Sequence, residues 1–305
     1  MNRTTPALLE ITVPHHHLWD LTANYYPWLT DRITVRVCGE YSAIRKNYLI
    51  EDFLKDASGV NLVHSVHVQA EHDPSDPVRE TRWLQEGADR QDSRGFPHGM
   101  VAYADLSLPD AEAFLEGHCR YANVRGIRQM LHEAMVDSNH PRPSLMGNPV
   151  WRKNFKLLKK YDLSFDLQVY YPQMEQAGEL AAEHPDIRFI LCHTGQPSRR
   201  DADGLAGWRR GMRLLSEMPN VSVKISGLGM FDRRWTIDSI RPFVLDTIEW
   251  FSAYRSMFAG NFPVDGMAGS YAGLWEAYSV LTESFSDDER RRLFSENARR
   301  IYRLT

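Results

Sequence analysis

Three features that would fix a functional class at once are scarce or missing in this 305-residue chain. Cysteine is the first. Cys38, Cys119 and Cys192 are few, odd in number and widely spaced, which excludes a disulfide framework and a cysteine-based zinc site and suits a reducing, cytoplasmic setting. No stretch reaches the roughly 18 consecutive apolar residues of a membrane span. The opening "MNRTTPALLEITVP" interrupts its apolar run with Glu10, so no signal peptide is expected. Nor is there an excess of positive charge. With 36 Lys and Arg against 40 Asp and Glu, the net charge of -4 gives no reason to expect nucleic acid or an anionic membrane as partner. What remains is a globular composition, 43% hydrophobic and 25% charged, whose expected partner is a small molecule, with a homo-oligomer left open.

Short β-rich apolar runs recur along the chain: "LLEITV" (8–13), "GVNLVHSVHVQ" (59–69), "GMVAYADL" (99–106), "VRGIRQML" (124–131), "LSFDLQVY" (163–170), "IRFILCH" (187–193), "NVSVKISG" (220–227) and "SMFAGN" (256–261). Helix signals lie between most of them. Asp76-Pro77 offers an N-cap followed by proline, "MEQAGELAAEHP" stops at Pro185, and Ser286 to Glu289 reads as a capping box. Eight alternating units are the number that closes a (β/α)8 TIM barrel, the expected α/β fold, as one domain over residues 1–305. A doubly wound sheet would place a Gly-rich turn after the first strand, where this chain has histidines. More than forty residues separate the first two strands. This insertion carries "NYYPWL" (24–29), whose aromatics could cap the barrel mouth or seal the outer helices.

Side chains alternate along strands, so parity sorts the faces. His15 and His17 share a face and His16 opposes them. On the second strand Leu62, Val66 and Val68 are expected outward, turning Ser65, His67 and Gln69 inward. Further along, Arg128, Asp166, Gln168, Tyr170 and Lys224 read as inward. His193 falls on the face of Phe189 and Leu191, and Asn261 on that of Met257. The carboxyl ends of the strands thus gather many polar groups, which are costly to bury without partners or a ligand. An H-x-H pair aims two imidazoles at one point, as zinc ligands or as hydrogen-bonding groups.

The stretches "HHHLWD", "VHVQAEHDPSDPVRETRWLQ", "VRGIRQML", "ILCHTGQP", "VKISGLGM", "FAGNFPVD" and "LFSENARRIYRL" resemble the amidohydrolase-2 branch of the amidohydrolase superfamily, closest to its sugar-lactone and pyrone-dicarboxylate lactonase group. The resemblance implies a barrel with its site at the carboxyl end, and it maps the family histidines onto His15, His17 and His193, the metal ligands if a metal is present. Two positions depart from the pattern: the fifth-strand histidine is Gln168, and the eighth-strand Asp is Asn261. Amides bind zinc poorly, and an amide cannot accept water's proton. The expectation is therefore a hydrolase opening a small carboxylated or sugar-derived lactone, with no cofactor or one weakly held zinc ion. His15, His17, His193, Asn261 and Asp265 are the expected catalytic groups, with Asn261 donating to a histidine. Asp265 or a neutral histidine would take the proton. Gln69, Arg128, Gln168, Tyr170 and Lys224 are expected to bind the anionic substrate, unless Arg128 or Lys224 pairs with Asp166 instead. The alternatives are a zinc-dependent decarboxylase or C–N hydrolase, and a non-catalytic ligand-binding descendant.

Overall fold

The computed structural model describes residues 9–34, 36–131 and 144–305. Each expected strand forms: β1 (Ile11–His16), β2 (Leu62–Val68), β3 (Gly99–Ala102), β4 (Val124–Ile127), β5 (Ser164–Leu167), β6 (Phe189–Leu191), β7 (Val221–Ile225) and β8 (Ser256–Phe258). Leu8, the first residue of the first expected run, lies outside the described residues. Neighbouring strands pair in parallel and in chain order. The chain just past β8 closes the ring. There the Asn261 N–H donates to the His15 carbonyl and the His17 N–H to the Phe262 carbonyl, both at 2.8 Å. The result is a single-domain (β/α)8 barrel.

Local chemistry sets the helix ends where expected. One helix starts at Pro77 and another, Met174–Glu183, ends just before Pro185, which disfavours helical geometry in the residue preceding it. At the next signal, the Glu289 N–H donates to Ser286 Oγ at 3.3 Å and the Ser286 N–H to the Glu289 carboxylate at 2.9 Å. Among the described residues no helix is long and apolar enough to cross a membrane.

Two apolar layers hold the ring. Phe165, Leu167, Val221, Val223 and Ile225 pack outward against the helices. Inside, Val66, Val68, Val101, Ile190 and Met257 form a separate cluster with Ile301, Tyr302 and Leu304. Strands β2, β3, β6 and β8 do not all neighbour one another, so these side chains can meet only in the lumen. The terminal helix Asn297–Tyr302 plugs its floor. This corrects the expected parity of β2: Val66 and Val68 point inward, while Ser65 and His67 lie outside. There His16 stacks on Phe53 at 4.1 Å and its Nε2 meets Ser65 Oγ at 2.9 Å. The rule that polar means inward fails on this strand because the plugged floor is itself an apolar environment.

The insertion covers the ends of β1 and β2. Trp28 packs edge-on to Trp19 at 5.6 Å and donates its indole N–H to the Ala70 carbonyl at 2.8 Å. Trp28 lines a cavity of about 590 Å³ together with Gln69, Glu71, Tyr103 and Asp105. The insertion's aromatics therefore reach the mouth side of the barrel.

Candidate active site

Three imidazoles meet at the carboxyl rim. The His15 ring lies 5.0 Å from His17 and 4.4 Å from His193, measured between centroids. Strand parity explains the first pair but not His193. It follows Phe189 and Leu191, which face the helices, and yet it reaches His15. The backbone makes the difference: His193, Thr194 and Gln196 take left-handed φ values of 55°, 54° and 52°, which turn the side chain over the rim. Non-glycine residues adopt this region at a cost, and such strain concentrates at functional sites. Ser226, the residue just after β7, meets His193 Nδ1 at 3.1 Å. Gly227 lies flush against the same ring, and a Cβ there would be 2.8 Å from it.

Burial holds all three imidazoles well below the ordinary value of 6.5. Nearby cations add to this, Lys224 first for His15 and Arg128 first for His17 and His193. Each ring is neutral at pH 7 and so presents one N–H and one lone pair. For His17 the assignment follows directly. Its Nδ1 lies 2.7 Å from the Val68 carbonyl, which only accepts, so Nδ1 carries the hydrogen and Nε2 keeps the lone pair.

Arg128 lies beside them, buried, at the end of β4. One guanidinium nitrogen donates to Gln168 Oε1 at 3.0 Å and another to the Gln69 carbonyl. Among the described residues the Nε has no partner. Gln168 and Gln69 therefore orient the guanidinium, and the Gln69 side chain itself folds back to accept the Glu71 N–H at 2.6 Å. Tyr170 is buried, and burial raises its hydroxyl to about 12.

Lys224 sits below the rim rather than in the open mouth. It is fully enclosed and paired with Asp166, the alternative partner anticipated from parity. Removing one partner of such a buried pair costs on the order of 3–5 kcal/mol. Tyr302, rising through the floor, shares its hydroxyl hydrogen between the two Asp166 oxygens, at 2.8 and 3.0 Å. Tyr302 was not anticipated as part of the site, although the closing "ENARRIYRL" had marked its segment.

Asn261, at φ 52°, gives its amide nitrogen to Asp265 Oδ1 at 3.1 Å. This corrects the expectation that it donates to a histidine. With Nδ2 turned to a carboxylate, its Oδ1 is left as an acceptor. The other Asp265 oxygen accepts the Gly227 N–H at 2.9 Å. Burial raises this carboxyl to about 7, against the pull of those two donors.

The donor set does not fit a tightly held metal. Among the described residues no group of three or more His, Cys, Asp or Glu side chains is placed to hold an ion. The positions of Gln168 and Asn261 supply amides, and Arg128 and Lys224 would repel a dication.

Comparison with known proteins agrees with this architecture. An uncharacterised protein of Sinorhizobium fredii is 48% identical over 301 residues, covering 97% of this chain and 99% of its own length. An L-fucono-1,5-lactonase of Burkholderia ambifaria is 27% identical, covering 95% and 94%. A crystal structure of an amidohydrolase from Burkholderia multivorans with bound zinc superposes with a TM-score of 0.80 at 25% identity, covering 98% of this chain and all of that one. The Amidohydrolase family profile matches residues 14–304, and the chain belongs to that family.

Proposed function

We propose that the protein is a lactonase that opens a small carboxylated or sugar-derived lactone without a metal. One observation carries the reading: three neutral, buried imidazoles share a rim with a buried guanidinium whose Nε has no partner among the described residues. Resemblance along almost the whole chain to an L-fucono-1,5-lactonase supports the choice of ester over amide. Arg128 grips the carboxylate, since a guanidinium matches its fork. Imidazole N–H groups polarise the lactone carbonyl, as oxyanion donors do in water-poor sites. Water attacks the carbonyl carbon and its proton passes to Asp265, whose value near 7 suits a general base. Each Asp265 oxygen has a second lone pair beyond the one it already shares. Collapse of the tetrahedral species breaks the ring C–O bond, and the proton returns to the departing oxygen to give a hydroxy acid. A pH-stat assay over carboxylated and sugar-derived lactones tests the proposal. Acid release from at least one of them is expected, and ligand binding without turnover across the panel would point instead to a non-catalytic descendant.

A further inference from the structure

The two histidines of the H-x-H pair are held differently from below. His15 Nδ1 lies 3.5 Å from Lys224 Nζ. An ammonium offers three donors and no lone pair, so the ring nitrogen facing it must be the acceptor. The geometry therefore places the His15 hydrogen on Nε2. The two ring nitrogens lie on opposite edges of the imidazole, so with Nδ1 toward the floor, Nε2 points away from it. That atom is fully buried and has no partner among the described residues. His17 is the reverse case, with its hydrogen on Nδ1 and a bare Nε2.

Lys224 is itself fixed. Asp166 accepts its ammonium, the single Tyr302 hydroxyl hydrogen is shared between the two oxygens of the same carboxylate, and Lys224 Nζ rests 5.0 Å over the Tyr302 ring. A polar chain thus runs from the terminal helix through Tyr302, Asp166 and Lys224 to His15. We propose that Lys224 is a positioning residue that locks His15 in the Nε2–H tautomer. His15 then donates to the substrate carbonyl oxygen, while His17 Nε2 accepts a hydrogen bond from the attacking water and orients it, the water's other hydrogen being the one that passes to Asp265. The roles toward substrate rest on the lactonase reading; the opposed tautomers do not.

The test uses the full chain labelled with 15N-histidine, whose long-range proton–nitrogen spectra distinguish protonated from bare ring nitrogens. His15→Asn and His17→Asn assign the two rings by loss of signal. The proposal expects His15 protonated at Nε2 and His17 at Nδ1 in the wild type at neutral pH. Finding both rings in the same tautomer, or His15 protonated at Nδ1, overturns it. A paired Lys224→Met and Asp166→Asn variant, which avoids an unpaired buried charge, should release His15 from that tautomer. Its kcat should fall about 100-fold, the scale of losing one oxyanion donor, with KM changed less than about 3-fold. A folded variant that keeps the wild-type tautomer also overturns the proposal, and if it does not fold the wild-type spectra decide alone. Expected tautomers in a protein that turns over no lactone would refute the proposed activity and leave this inference standing.

Discussion

Asn261 and Asp265 are joined side chain to side chain: the amide nitrogen of the first meets a carboxylate oxygen of the second at 3.1 Å, four residues further along the chain. A buried carboxylate thus stands beside the Asn261 amide, supplied from four residues away. Its titration predicts a pH dependence. Asp265 is raised from 3.8 to about 7, so the folded protein keeps a proton there that the unfolded chain releases at lower pH. Stability from this group is complete below about pH 4, declines as the pH rises toward 7, and is level above, a change of ~4 kcal/mol. Activity runs the opposite way, since the proton acceptor is the ionised form. kcat/KM should rise through about pH 7, and Asp265→Asn should lose about 100-fold or more and flatten the profile. A wild-type profile with no inflection near 7 counts against Asp265 as base.

Gly227 meets two requirements. Its φ of 70° suits glycine, and a Cβ would sit 2.8 Å from the His193 ring. Gly227→Ala should therefore cost about 1–3 kcal/mol in stability and displace His193. Thermal melting and kcat measured together check this, and unchanged values for both would contradict the packing described.

Arg128 should act mainly on binding. Arg128→Lys keeps the charge but cannot hold Gln168, Gln69 and a carboxylate together. KM for a carboxylated lactone is expected to rise about 10- to 100-fold, the scale of one or two charge-assisted hydrogen bonds. A neutral lactone should be much less affected, and equal losses on both would remove Arg128 from substrate recognition.

Much of this was legible in the chain. The eight apolar runs gave eight strands, because strand length and helix signals are local properties. Parity correctly turned Arg128, Asp166 and Lys224 inward. It failed on β2, where Val66 and Val68 face an apolar plug built by Tyr302 and Leu304, more than 200 residues away. It also failed to bring His193 to the rim, because that depends on three left-handed residues no alternation pattern encodes. Tyr302 was missed for a related reason. A tyrosine near the end of a terminal helix looks like surface or core until the floor of the barrel is seen.

The central claim is that neutral imidazoles, not a metal ion, carry the hydrolysis. It is tested most directly by pH-stat turnover of the best lactone substrate before and after exhaustive chelation, with zinc content measured on the same protein. The account predicts an unchanged rate after chelation, and a loss of about 100-fold or more for His17→Gln, which removes the imidazole lone pair facing the water. Near-stoichiometric zinc, with activity abolished by the chelator and restored by zinc, would contradict it.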